Sequence, residues 1–164
     1  MISYKTTFTF IAICILLSTH LHAKAAEKTN FVLCMTDDQG WGDVGYMGHP
    51  HLKTPVIDEM AAKGLRFDRF YAPAPVCSPS RGGFITGRAP SRYGSYNYGY
   101  ITRTEEITLG ELAQSAGYAT AHYGKWHLGP ALKDHPLSPD GQGFDDWLSH
   151  DNFFDLNPKL SRAE

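Results

Sequence analysis

Short apolar runs alternate with capped helical segments along this chain, and that alternation restricts its fold more than any other feature. Phe31-Val32-Leu33-Cys34-Met35 is an apolar run ending in Thr36-Asp37-Asp38-Gln39-Gly40, which predicts a buried strand stopping at a polar loop. Strand ends of this kind are common ligand sites in α/β folds. Thr54-Pro55 supplies a cap and a first-turn proline, Val56 to Lys63 continues the helix, and Gly64 is placed to end it. Leu65 to Tyr71 alternates as a strand does. A Pro-rich loop, Ala72 to Pro75, leads into Cys77-Ser78-Pro79-Ser80-Arg81, where Pro79 opens a helix toward Thr86 and Gly87 and leaves Cys77 at the helix N-terminus. Thr108 and Glu111 form a capping box for a further helix that stops near Gly117, and a strand from Tyr118 to Tyr123 follows. The succession predicts an α/β fold, a mixed sheet flanked by helices. Pro130 to Gly143, rich in Pro, Gly and polar residues, reads as a long surface loop, and the aromatic, acidic stretch Phe144 to Phe154 is assigned no element.

The first 26 residues differ in kind. Lys5 precedes an apolar run from Phe8 to Leu17, and small residues follow at Ala23, Ala25 and Ala26, the layout of a secretory signal peptide. The run is shorter than the roughly 20 residues that cross a bilayer, so no stable membrane anchor is expected. Ile13 stands where a small residue would precede a lipidated Cys14, which argues against a lipoprotein. Export to a secreted or periplasmic, extracytoplasmic location follows. Removing the leader takes Cys14 with it and leaves Cys34 and Cys77, too few for a disulfide framework, so folding must rest on a core. Cys34 reads as a buried thiol acting as a small hydrophobe. A net charge of -2 gives no basic excess that would draw nucleic acid.

Three ordered motifs remain. Cys77-Ser78-Pro79-Ser80-Arg81, followed by Ile85-Thr86-Gly87-Arg88, resembles the signature of the type I, formylglycine-dependent sulfatases of arylsulfatase type. Asp37-Asp38-Gln39-Gly40-Trp41-Gly42-Asp43 looks like that family's first metal-binding element, and Gly124-Lys125-Trp126-His127-Leu128-Gly129 like its sulfate-contacting element. The resemblance implies an alkaline-phosphatase-like fold, present in part. Residues 27–164 would be the N-terminal portion of the catalytic domain. It implies formylglycine made from Cys77 by a separate maturation enzyme, with the T-G-R element assisting recognition. It also implies a sulfated carbohydrate or aryl sulfate as substrate.

The chemistry of the residues agrees with this. Sulfate ester hydrolysis needs a nucleophile that can later release sulfate from itself, and a hydrated aldehyde does so. Sulfate and diol are rich in oxygen, so a hard cation suits them; Asp37, Asp38 and the modified Cys77 would hold Ca²⁺, with Mg²⁺ suited equally. Arg81, one turn beyond Cys77 on the same helix face, would steady the ionised diol through its donor fork. Lys125 would bind a sulfate oxygen as a point charge. His127, two residues on along an extended segment, would project to the same side, contact substrate and take the diol's proton.

Gln39 and Asp43 either touch the metal site or hydrogen-bond the loop backbone. Tyr93, Tyr96, Tyr98 and Tyr100 either line a substrate cleft or form a half-buried strand. The resemblance implies that the second metal-binding element and a second lysine lie beyond this stretch, and no second metal pair or leaving-group acid is identified among Pro130 to Glu164, so this stretch alone is expected to be inactive. Two other functions compete with hydrolysis of sulfate esters. One is a non-catalytic secreted module that binds sulfated glycans through Arg81 and Lys125. The other is a phosphoester hydrolase, which the intact C-S-P-S-R element disfavours.

Overall fold

The computed structural model describes residues 28–99, 102–152 and 161–162. The expected leader, Tyr100, Phe153 and Phe154 lie outside them. The chain divides into two compact units, Met1–Met35 and Thr36–Glu164.

In the first unit, residues 28–35 form no strand, and Phe31, Val32, Leu33, Cys34 and Met35 are exposed. The expected buried strand and buried Cys34 are therefore corrected. An apolar run becomes a strand only where a neighbour completes its hydrogen-bond ladder, and the described residues of this unit supply none.

The second unit carries the helices α1 (Pro55–Lys63), α2 (Cys77–Thr86), α3 (Pro90–Tyr93) and α4 (Leu109–Ser115), and the strands β1 (Ala121–Lys125), β2 (Asp146–His150) and β3 (Ser161–Arg162). β1 pairs in parallel with β2, from Ala121 opposite Asp146 to Lys125 opposite His150, and β2 pairs antiparallel with β3. This is the α/β class with a mixed sheet.

α1 and α4 form where expected, and α2 starts at Cys77, two residues before the Pro79 expected to open it. Pro55 stands at the first turn of α1, although Thr54 does not cap it: its hydroxyl accepts from the Gly45 amide and donates to Asp58. The Thr108–Glu111 capping box is complete in both directions. Leu65 to Tyr71 forms no strand and is exposed, since its alternation finds no partner to pair with.

The core lies between α2, α4 and the end of β1. Ile85, Trp126 and Leu128 are buried together with Leu109 and Phe144 against them. The His122 ring meets Trp126 and Phe144 edge-to-face, and its Nδ1 lies 2.6 Å from Ser149 Oγ. Pro130 to Gly143 is a loop apart from a 3-10 turn at Asp140–Gln142, but not simply a surface loop, because Ala131, Ser138, Pro139 and Gln142 are buried. Trp126 Nε1 donates to the Leu137 carbonyl at 2.8 Å and the Thr108 hydroxyl to the Gln142 carbonyl at 2.6 Å, so indole and cap draw the loop inward. Among the described residues no helix is long and apolar enough to cross a membrane.

Candidate active site

Each residue of Cys77-Ser78-Pro79-Ser80-Arg81 has a separate task. Val76 is extended and α2 starts at Cys77, so the thiol sits where backbone amides are left without helical partners. Ser78 is fully buried and its hydroxyl accepts the Gly99 amide at 3.1 Å. The Pro79 carbonyl accepts the buried Tyr93 hydroxyl at 2.6 Å, which locks α3 onto α2. Gly82 makes that approach possible, since a Cβ there would lie 2.5 Å from Tyr93 Oη. The Ser80 hydroxyl donates to the Ala74 carbonyl at 2.6 Å and ties down the Pro-rich loop. Arg81, one turn along, sends Nη1 to the Lys125 carbonyl at 2.7 Å and Nη2 toward Asp37 Oδ1 at 3.4 Å.

The two aspartates converge on the thiol. Cys77 Sγ lies 3.8 Å from Asp37 Oδ1 and 4.0 Å from Asp38 Oδ1. Neighbouring side chains on an extended chain point to opposite faces. Asp38 has φ 54°, the left-handed region that aspartate tolerates better than most residues, and the turn brings both carboxylates to one side. Lys125 Nζ donates to Asp37 Oδ2 at 3.0 Å and to Oδ1 at 3.3 Å. Partial burial alone would raise the Asp37 pKa, but the Lys125 hydrogen bond and the charges of Lys125 and Arg81 hold it below the ordinary carboxylate value. Gly124, with φ 108° in β1, gives the strand a backbone twist just before Lys125 that a side chain would resist.

His127 corrects one expectation. Its φ is 56°, so the segment is not extended there and strand alternation does not set its direction. The imidazole instead packs edge-to-face on Tyr98, with ring centroids 4.7 Å apart. Burial, then the charges of Lys125 and Arg81, push its pKa below the ordinary histidine value, against the opposing carboxylates of Asp37 and Asp151. Its buried Nδ1 has no hydrogen-bond partner among the described residues.

Gln39 and Asp43 serve the loop. Asp43 Oδ2 accepts the Gly40 amide at 2.8 Å, and Gln39 Nε2 donates to the Asp43 carbonyl at 3.0 Å. Tyr93 lies buried in a helix, neither in a strand nor lining a cleft, while Tyr96 and Tyr98 are exposed in the loop after it. The sequence assigned Ser78 and Ser80 no role of their own and did not foresee the Tyr93 contact with α2, because their partners are distant or lie in irregular backbone.

Asp37, Asp38 and Cys77 each offer a ligand atom, and these atoms lie within 4.8 Å of one another. Two carboxylates fit a hard cation, whereas a thiol sulfur does not.

The family model named Sulfatase matches residues 29–160. The chain is 42% identical over 146 residues to N-acetylgalactosamine-6-sulfatase of Rattus norvegicus, covering 80% of this chain and 27% of that protein. It is 43% identical over 136 residues to Arylsulfatase A of Homo sapiens, covering 77% and 27%. It thus spans about a quarter of the length of the curated relatives it matches. The crystal structure of Ps i-CgsB in complex with k-i-k-neocarrahexaose superposes with a TM-score of 0.64 at 32% identity, covering 70% of this chain and 26% of that one. The similarity carries the alkaline-phosphatase-like architecture, of which the described residues form a part. With its matched length and its three motifs gathered around Cys77, this chain belongs to the sulfatase family.

Proposed function

We propose that this chain contributes the nucleophile side of an extracytoplasmic sulfuric ester hydrolase acting on a sulfated carbohydrate or an aryl sulfate. The observation that carries the reading is the convergence of Asp37, Asp38, Arg81 and Lys125 on the N-terminus of the Cys77 helix. Oxidation of Cys77 to formylglycine by a maturation enzyme supplies a hydrated aldehyde, whose two hydroxyls allow attack on sulfur and later release of sulfate without water reaching the ester. Asp37 and Asp38 would hold the hard cation, which would supply charge stabilisation at the oxygen-rich ester.

Arg81 is fixed by the Lys125 carbonyl, so its guanidinium is set in place before charge develops at the nucleophile. Lys125 is buried at the C-terminal end of β1, where a positive charge in a poorly solvated site attracts a sulfate oxygen more strongly than in water. His127, whose pKa burial and the neighbouring cations lower, is read as the proton acceptor. The carbohydrate preference is supported by the name of the N-acetylgalactosamine-6-sulfatase relative and the oligosaccharide in the Ps i-CgsB complex; the aryl sulfate alternative is supported by the name of Arylsulfatase A.

The test is turnover by the full-length protein, co-expressed with a maturation enzyme and supplied with Ca²⁺. Substrates are 4-methylumbelliferyl sulfate and 6-O-sulfated N-acetylhexosamines. Sulfate release that is lost on chelation and restored by Ca²⁺ is expected. No release from either class by protein carrying the matured residue contradicts the reading.

A further inference from the structure

The catalytic part given to His127 leaves one question of geometry: what holds the ring. Its Nδ1 is buried without a hydrogen-bond partner among the described residues, so no carboxylate or carbonyl fixes the imidazole there as second partners usually do. Its backbone is in the left-handed region, where strand neighbours do not constrain the side chain.

The ring contact it does make is with Tyr98, at 4.7 Å between centroids and 72° between planes. Tyr98 is itself held from two sides. The following amide, of Gly99, donates to the Ser78 hydroxyl, and Ser78 is the fully buried neighbour of Cys77. Gly99 has φ 74°, so the chain turns back at that point in a way other residues resist. On the other side Asn152 Nδ2, two residues beyond β2, donates to the Tyr98 hydroxyl. Nucleophile helix and sheet end thus both anchor the tyrosine loop, one at the Gly99 amide and the other at the Tyr98 hydroxyl.

We propose that Tyr98 is a positioning residue that sets the His127 imidazole relative to Cys77, linking the two through Gly99 and Ser78. The inference rests on the reading of His127 as a proton acceptor, and it predicts an effect that passes through His127 alone. An aromatic packing partner replaces the hydrogen-bonded orienter found in many acid–base sites.

The experiment is a double-mutant cycle in the matured full-length protein, with 4-methylumbelliferyl sulfate as probe. Tyr98→Leu should lower kcat about tenfold with KM changed less than about twofold, since misplacing a proton acceptor weakens the reaction step and not binding. Tyr98→Phe, which keeps the ring, should retain at least about a third of kcat. In a His127→Ala background Tyr98→Leu should change kcat less than about twofold. A second readout is independent of turnover: the His127 ring-proton resonances, shielded by the Tyr98 ring, should move in Tyr98→Leu and stay close to wild type in Tyr98→Phe. Asn152→Ala, which frees the hydroxyl and keeps both rings, serves if the Leu variant does not fold, and should lower kcat in the same direction by about twofold to threefold. Losses that multiply fully in the double variant, or ring-proton resonances unmoved by Tyr98→Leu, overturn the proposal. Absence of all wild-type turnover contradicts the proposed function, and the ring-proton shifts then decide the placement of His127 by themselves.

Discussion

Each end of the α2 region brings one carboxylate together with two cations, but with opposite burial. Beyond its C-terminal end the Glu106 side chain is 2% exposed, and its partners Arg88 and Arg103 are 45% and 54% exposed. At the N-terminal end Asp37 is 33% exposed, whereas Arg81 and Lys125 are 12% and 5% exposed. In both cases burial would raise the acid's pKa and the cations hold it below the ordinary value, led by Arg103 at Glu106 and by Lys125 at Asp37. The Glu106 node is closed: a buried anion is neutralised by arginines whose other faces are in water. The Asp37 node is inverted. Its cations are fixed in the protein and its anion faces outward, so positive charge is preorganised at a surface where a divalent cation and an anionic ester can both arrive. The same three charges make a structural clamp in one arrangement and a candidate reaction site in the other.

Substitutions should separate the two nodes. Cys77→Ala should abolish turnover, by at least about four orders of magnitude in kcat, while leaving the thermal midpoint within about 2 °C. A calorimetric scan beside a rate assay checks both halves. Lys125→Ala should lower kcat/KM by about two to three orders of magnitude, the scale seen when one preorganised stabilising charge is removed. Lys125→Arg restoring the full rate would break the point-charge assignment.

Acidification tests the core beneath the inverted node. Burial, with the charges of Arg81 and His150, pushes the His122 pKa down to about 4 from an ordinary 6.5. A buried histidine kept neutral contributes stability above its unfolded pKa and loses it as pH falls toward the folded value. Stability should therefore decline by up to about 3 kcal/mol between pH 6.5 and 4, read from urea unfolding at a series of pH values. A flat profile in that window would contradict a His122 held neutral by burial. The smallest effect belongs to the closed node. Glu106→Gln should cost about 2 kcal/mol of stability, softened because both arginines can turn to water, with kcat unchanged to within about twofold. A larger loss of rate than of stability would erase the distinction between the nodes.

The sequence revealed what local signals encode. Pro55 opens its helix, Thr108 and Glu111 cap theirs, and the spacing of Arg81 from Cys77 is a property of one helix, which begins at Cys77, two residues before the Pro79 expected to open it. Strands were less legible, because pairing depends on residues far away. The strand expected from Tyr118 to Tyr123 forms as Ala121–Lys125, where Asp145 takes the Thr120 amide and hydroxyl and Asp146 begins the parallel partner. Leu65 to Tyr71 alternates but has no ladder. At the site, the sequence motifs named the chemistry-bearing residues, and the structure brings Asp37, Asp38, Arg81 and Lys125 together around Cys77. It could not give the direction of His127, which a left-handed turn decides, nor the Tyr98 contact across 29 positions of chain.

The central claim is that Cys77 at the inverted node is a precursor of formylglycine. Mass spectrometry of the peptide containing Cys77, from protein made in its native source, tests it most directly. The account predicts a peptide whose thiol has been replaced by an aldehyde that reacts with hydrazine reagents. A free thiol throughout the population would contradict it.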